Sequence, residues 1–252
     1  MSGHSKWANI KRKKEKVDAG RGKMFTKIAR EIIVAAREGG GDPDGNFRLR
    51  LAIEHARSVN MPAENIERAI RRGTGELSEG ENWEEVTYEG YGPGGVALLV
   101  QAMTSNRNRT ASDIRYVFSR HGGNLGEAGC VAWMFDQQGL IRVPKQKVQM
   151  SEDEFLMEAL DAGASDVQNE EDAYTLITQP ADFQAVREAV DKRGIPVEEA
   201  EIALVPKNRV TVEGKDAERV LQLIEALEDM DDVQNVYSNA DIDESTLETV
   251  QA

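Results

Sequence analysis

Lysine, arginine and one tryptophan in the first thirty residues have the types and spacing needed to bind phosphate. This segment contains ten Lys or Arg against Glu15 and Asp18, so it carries +8, whereas the 252-residue chain carries −14. The other 222 residues therefore carry −22. Because so acidic a protein repels a polyanion, a separate basic segment is suited to gripping phosphate and its tryptophan to stacking on a base. We expect nucleic-acid contacts from Lys6, Trp7, Lys11, Arg12, Lys13, Lys14, Lys16, Arg21, Lys23 and Lys27.

The alternative is that this basic segment is a solvated, disordered arm, as Lys-rich termini often are. Two features favour binding. The cations continue into a predicted helix at Lys27 and Arg30, and Trp7 is costly in a purely solubilising tail. A secretory signal is not expected, because no apolar run of about 7–15 residues follows the charges. A mitochondrial transit peptide would be richer in Ser and in spaced Arg, so we expect the segment to belong to the working protein.

A second candidate phosphate site lies in the middle of the chain, at Arg107 and Arg109. These arginines precede Thr110–Asp113, which resembles a capping box at the start of a helix. Free backbone N–H groups and the positive end of a helix suit a phosphate or a carboxylate. The equally open alternative is a solvated loop whose arginines pair with acids of the same domain.

Residues that would indicate a catalytic or metal centre are not found in a usable pattern. The chain has no Gly-x-Ser-x-Gly, His-Glu-x-x-His or Walker sequence. Cys130 lies in an apolar pattern typical of a core, and three histidines are few for a metal site. Clusters of acids can bind Mg²⁺, but here they occur at helix starts and turns, where a solvated role is favoured. We therefore expect no enzymatic activity, no metal and no cofactor.

Cysteine content and hydropathy also limit where the protein works. A single cysteine excludes an intramolecular disulfide and fits a reducing cytoplasm. No stretch approaches about eighteen consecutive apolar residues, so a membrane span is not expected.

Helical periodicity predicts how the first basic segment is positioned. Residues 1–22 have no apolar period and are predicted to form a flexible arm. From Met24 an apolar stripe of Phe25, Ile28, Ile32 and Ala35 predicts a helix, which the run 39–43 ends. Two more helices, over 46–59 and 62–73, complete a three-helix bundle in a domain spanning 23–78.

The second and third helices also allow a helix-turn-helix, which would bind duplex DNA. Such a module contacts bases with the first residues of its second helix. Here these include Glu64 and Glu67, whose carboxylates would be repelled by a phosphate-lined groove. Ordinary bundle packing is therefore favoured, with a recognition helix as the alternative.

Beyond residue 78 the pattern predicts two ferredoxin-like α/β domains, one inserted in the other, and hence an α+β fold. The acidic stretch 74–85 marks the boundary, and the Gly-rich residues 88–95 predict a tight turn before a strand at 96–103. Residues 138–206 show the order βαββαβ of a ferredoxin-like domain. The middle domain is predicted to consist of residues 79–137 and 207–240, followed by a tail of 241–252. Its first part has a strand at 130–135, and its second part has strands at 210–212 and 233–237.

Several motifs together resemble the YebC/PmpR family, which includes the mitochondrial translational activator of cytochrome c oxidase. The match runs the length of the chain and rests on residues 2–11 (SGHSKWANIK), 22–27 (GKMFTK), 39–43 (GGGDP), 88–95 (YEGYGPGG), 106–110 (NRNRT) and 122–126 (GGNLG). The resemblance implies a helical N-terminal domain followed by two α/β domains, one inserted in the other. It also implies a non-enzymatic role in gene expression.

The family's functions are divided between DNA-binding transcriptional regulators and translation factors that bind the ribosome and aid synthesis of difficult stretches. A basic arm on an acidic body suits irregular ribosomal RNA better than a uniform duplex, which would repel the body. We therefore expect a monomeric, cytoplasmic protein that binds ribosomal RNA within the ribosome, with double-stranded DNA as the alternative partner.

Overall fold

The computed structural model describes residues 21–77 and 83–242. It has the predicted α+β class, with N-terminal helices followed by sheet-containing domains. The described chain divides into two compact units, and the second, residues 136–205, is inserted between residues 135 and 206 of the first. The predicted arrangement of one α/β domain within another is therefore confirmed. Residues 1–20 of the predicted arm and residues 243–252 of the tail lie outside the described residues.

Three helices form the N-terminal bundle: α1 (Arg21–Gly39), α2 (Phe47–Ser58) and α3 (Ala63–Gly73). Ile28, Ile32 and Ala35 of the predicted stripe are buried, and they pack against Leu49 and Ala69 of the other two helices. This is the bundle that periodicity predicts.

Two local features hold the bundle together. Asn46 caps α2 by accepting a hydrogen bond from Leu49 N at 3.1 Å, and its side-chain amide donates to Ala35 O at 2.8 Å. One side chain thus starts α2 and ties it to α1. At Gly73, a Cβ would lie 2.5 Å from the carbonyl oxygen of Ile33, so only glycine permits this approach of α3 to α1.

The elements after the bundle follow in this order: β1 (Glu84–Tyr91), β2 (Ala97–Thr104), α4 (Arg107–Arg120), β3 (Asn124–Leu125), β4 (Phe135–Pro144), α5 (Glu152–Asp161), β5 (Asp166–Asn169), β6 (Ala173–Thr178), α6 (Phe183–Lys192), β7 (Glu199–Pro206), β8 (Val210–Val212), α7 (Gly214–Glu228), β9 (Val233–Ser238) and β10 (Ala240–Ile242).

The middle domain is built on a sheet of order β3-β1-β2-β9, with α4 and α7 packed on it. The sequence analysis missed one strand of this sheet. The acidic start of β1 concealed a strand that pairs antiparallel with both β2 and β3. The strand predicted at 210–212 is present as β8, which lies outside this sheet and pairs in parallel with β10. The tight turn predicted within 88–95 is the single 3-10 turn Pro93–Gly95 between β1 and β2.

The strand predicted at 130–135 is also wrong. This stretch forms a turn and a short 3-10 helix, and β4 begins only at Phe135. The cause is Glu89, whose buried carboxylate accepts hydrogen bonds from the N–H groups of Gly129 (2.6 Å), Val131 (2.8 Å) and Ala132 (2.8 Å). Those N–H groups are unavailable to a neighbouring strand.

The inserted domain has the ferredoxin-like order βαββαβ and a sheet of order β5-β6-β4-β7. Phe155 of α5 and Phe183 of α6 are fully buried, and the Phe155 ring stacks on Tyr174 with centroids 4.4 Å apart. Arg142 is buried on β4, where it binds Glu170 at 2.6 Å and Asp172 at 2.7 Å. One acidic cluster of this domain is therefore part of an ion-pair network.

Candidate nucleic-acid interface

The structure describes only part of the predicted contact set. Lys23 and Lys27 lie near the start of α1, and Arg107 and Arg109 lie in the first turn of α4. Arg21 is the first residue of α1. The remaining predicted contacts lie outside the described residues: Lys6, Trp7, Lys11, Arg12, Lys13, Lys14 and Lys16.

Three cations on one face of α1 point to an acidic segment between α7 and β9, residues 228–232. Lys23 Nζ donates to Asp229 O at 3.2 Å and lies 3.7 Å from its carboxylate. One turn later, Lys27 Nζ donates to Glu228 O. The predicted phosphate ligands Lys23 and Lys27 are thus brought to the middle domain, where carbonyl and carboxylate oxygens already bind them.

Arg30 continues this face of α1 and forms its most buried contact. Its guanidinium donates to Asp231 O and to Asp232 Oδ1, the latter at 3.1 Å. The side chains of Arg30 and Asp232 are only 12% and 11% exposed. The guanidinium also lies over the ring of Trp83, 4.2 Å from the centroid. Since Arg30 belongs to the bundle and Asp232 to the middle domain, this ion pair joins the two domains.

Asp232 is bound from a second side by the predicted site on α4. Arg109 Nη2 donates to Asp232 Oδ2 at 3.1 Å, and Thr110 Oγ1 donates to the same oxygen at 2.7 Å. Burial by itself raises the pKa of the Asp232 carboxyl, but hydrogen bonds from Thr110 and Arg109 and the charge of Arg30 outweigh burial and hold the pKa below its ordinary value. Arg109 at the start of α4 thus pairs with an acid of the same domain, as the alternative to a phosphate site expected, and its contact with nucleic acid stays a prediction.

Arg107 differs from Arg109 in its surroundings. Its Nε lies 3.6 Å from Glu84 Oε1, and the two side chains are 60% and 46% exposed. Such a pair in water contributes about 0–1 kcal/mol. The two arginines of the motif therefore differ in their contacts: Arg109 belongs to a buried network, and Arg107 forms a weak ion pair at the surface.

The outward-facing side of α4 carries residues that the sequence prediction did not include. Arg115, Tyr116 and Arg120 are exposed. Arg120 lies one turn after Tyr116, so the helical period of about 3.6 residues would have placed them on one face. The sequence alone could therefore have identified this exposed face, but the nucleic-acid contacts predicted on this helix were only Arg107 and Arg109 at its start.

The acidic clusters show no metal-binding geometry in the described part of the chain, where no group of three or more potential ligands converges. Residues 228–232 bind α1, and residues 152–154 begin α5 with a capping box formed by Ser151 and Glu154. The helices within residues 21–77 and 83–242 include none with the length and apolar character of a membrane span.

Comparison with known proteins gives the family. Residues 5–76 match the model of the TACO1/YebC N-terminal domain, and residues 83–240 match that of the TACO1/YebC second and third domain. The chain belongs to the TACO1/YebC family. The resemblance drawn from its motifs is therefore confirmed.

Members of the TACO1/YebC family match nearly the whole chain. A probable transcriptional regulatory protein of Natranaerobius thermophilus is 56% identical over 250 residues, which cover 99% of this chain and 100% of the relative. A protein of Moorella thermoacetica with the same description is 59% identical and covers 96% of each chain. The crystal structure of a conserved hypothetical protein of Aquifex aeolicus matches with a TM-score of 0.83 at 52% identity, covering 91% of this chain and 93% of that one.

Proposed function

We propose that this TACO1/YebC protein is a non-enzymatic regulator of gene expression that binds nucleic acid through its basic N-terminal arm. The observation that carries the proposal is the charge asymmetry, +8 in the first thirty residues against −14 for the chain. A local cationic segment on an acidic protein attracts phosphate while the remainder repels it. Membership in a family whose relatives are described as probable transcriptional regulatory proteins supports the regulatory role.

The proposed contacts differ in how readily they can bind phosphate. Residues 1–22 supply the main phosphate contacts. Lys23 and Lys27 donate to the backbone carbonyls of Asp229 and Glu228, bonds that a phosphate would have to replace. Arg107 offers a weakly paired charge on the middle domain, whereas Arg109 would have to leave the buried Asp232. We therefore expect Arg107 to contribute more than Arg109 to binding.

Ribosomal RNA is the preferred partner, and the protein acts as a cytoplasmic monomer that assists synthesis of difficult stretches. An acidic body is repelled by the uniform charge of a duplex, whereas an arm can enter irregular folded RNA. The first turn of α3 carries Glu64, paired with Arg68 at 2.9 Å, which disfavours its insertion into a major groove. The second candidate is a DNA-binding transcriptional regulator, which the names of the relatives favour.

The test is whether the full-length protein in cell extract sediments with ribosomes or with chromosomal DNA. We expect ribosome association that is lost when Lys11, Arg12, Lys13 and Lys14 are replaced by Gln. The matched control replaces four exposed cations elsewhere, Arg57, Lys192, Lys215 and Arg219, and should retain association. Sedimentation with DNA would select the second candidate. Unchanged association of the arm variant would overturn the proposed role of the arm.

A further inference from the structure

The outward-facing side of α4 carries an exposed aromatic ring between two arginines. Tyr116 is 62% exposed, and Arg115 and Arg120 are exposed beside it. We call Arg115, Tyr116 and Arg120 the α4 outer face. The inward side of the same helix is anchored by Ile114 and Phe118, both fully buried, so the outer side chains stand on a rigid support.

The arginines of the α4 outer face form no ion pair with any of the described residues. Within residues 21–77 and 83–242, neither Arg115 nor Arg120 has a carboxylate within salt-bridge distance. The ion pairs of this helix lie at its start, where Glu84 contacts Arg107 and Asp232 contacts Arg109. The helix itself contains four arginines and one acid, Asp113. An unpaired positive surface on so acidic a protein is complementary to a polyanion.

Small neighbours leave the Tyr116 ring open. Ser112, one turn before it, and Ser119, nearly one turn after it, occupy the same side of the helix. Their hydroxyls donate to Asn108 O and Arg115 O, each at 2.9 Å, so they are turned back onto the helix. A planar group can therefore approach the ring from the side of these two serines.

We propose that the α4 outer face binds unpaired nucleotides of RNA, with a base stacked on Tyr116 and phosphates bound by Arg115 and Arg120. This inference rests on the proposed function and adds a second contact surface to it. Stacking on an exposed ring requires an unpaired base, since bases in a duplex are stacked on one another. The surface therefore selects single-stranded segments over a duplex.

The first test measures binding of the full-length protein to a fluorescent oligouridine of about 20 nucleotides by anisotropy. Tyr116→Ala should raise Kd about 5- to 150-fold, which is the effect of removing one stacked base. Tyr116→Phe keeps the ring and should bind like the parent. The matched control is Trp133→Ala, which removes another exposed aromatic side chain of the same compact unit, and it should leave Kd unchanged.

The second test measures the charge contacts through their salt dependence. Replacing Arg115 and Arg120 by Gln should reduce the slope of log K against log [salt] by about 0.7 for each phosphate that is no longer bound. Arg219→Gln replaces an exposed arginine of α7 that does not belong to the α4 outer face, and it should leave the slope unchanged. Asp113→Asn should strengthen binding, because it removes the one acid of α4.

The outcomes separate this inference from the proposed function. If Tyr116→Ala binds as tightly as the parent while the arm variant binds weakly, the α4 outer face does not bind RNA and the role of the arm stands. If the parent protein does not bind single-stranded RNA at all, both fail. An equal reduction of affinity for duplex DNA on Tyr116→Ala would also overturn the stacking assignment.

Discussion

At the scale of single residues, Glu89 shows how one buried carboxylate sets the local structure. It is 7% exposed and accepts three backbone hydrogen bonds from the segment 129–132. Burial by itself raises the pKa of Glu89, but the N–H groups of Gly129, Val131 and Ala132 outweigh it and lower the pKa. The loop that carries the exposed Trp133 therefore depends on the ionised form of Glu89.

Glu89→Gln is expected to lower the free energy of unfolding by about 1.5–3 kcal/mol at pH 7, because hydrogen bonds to a charged acceptor are removed. The lowered pKa means that the stabilisation by Glu89 is complete above the ordinary carboxyl pKa of about 4.3 and is lost as pH falls through the folded-state value. The difference in unfolding free energy between parent and variant, measured with urea, should be smaller at about pH 3 than at pH 7. Glu127→Gln, an exposed acid in the same loop, should change stability little.

At the scale of elements, α1 serves two purposes. Its apolar stripe builds the bundle, and its cationic face binds the acidic segment 228–232 of the middle domain. The central contact is the buried pair of Arg30 and Asp232, which Arg109 and Thr110 extend to α4. The helix that carries the predicted contacts Lys23 and Lys27 is therefore also the element that joins two domains.

Asp232→Asn should destabilise the docking of α1 by about 3–5 kcal/mol, because it leaves the buried guanidinium of Arg30 without its charge partner. Faster amide hydrogen exchange within residues 21–39 should accompany this change. The matched control is Asp229→Asn, the same substitution in the same acidic segment. Asp229 pairs with Lys23, and the side chains of Lys23 and Asp229 are 53% and 73% exposed. That substitution should cost about 0–1 kcal/mol. Equal effects of the two would contradict the importance of the buried pair.

The acid dependence of this docking follows from the direction of the Asp232 pKa. A carboxyl whose folded-state pKa is lowered contributes stability above its ordinary pKa of about 3.9, and that contribution is lost as pH falls through the folded-state value. The difference in unfolding free energy between parent and Asp232→Asn should therefore be constant from about pH 5 to 8 and should decrease below about pH 4. A difference that grew in acid would show that Asp232 is not held ionised by its partners.

At the scale of the whole molecule, the distribution of charge governs what the protein can bind. The arm carries the excess positive charge, and the described domains use many of their own cations on their own acids, as Arg30, Arg109 and Arg142 show. Under the proposed function, long-range attraction to nucleic acid comes mainly from the arm, with local contacts from weakly paired residues such as Arg107.

Binding of the parent protein to RNA should depend steeply on salt. If about 6–10 phosphates are engaged, affinity should fall by about 10³–10⁵ between 50 and 200 mM salt. Replacing the arm cations Lys11, Arg12, Lys13 and Lys14 by Gln should flatten this dependence. A parent protein whose affinity did not change with salt would exclude phosphate binding as the main source of its affinity.

The sequence by itself determined the class of the fold, the three helices and the family. Ile28, Ile32 and Ala35 recur at the helical period, so their burial followed from local pattern alone. Family motifs spread over the chain were specific enough to identify the TACO1/YebC family, which the comparison confirmed. The predicted contacts of the arm remain a proposal, since most of its residues lie outside the described chain.

Only the tertiary structure decided which of the candidate cations already have partners. Arg30 and Asp232 are separated by about two hundred residues, and no local pattern indicates that they meet. The same holds for Glu89, whose three bonds to residues 129–132 turned a predicted strand into a loop. The physical reason is that periodicity reports which face of an element is buried, whereas the partner of a buried charge depends on how distant elements pack.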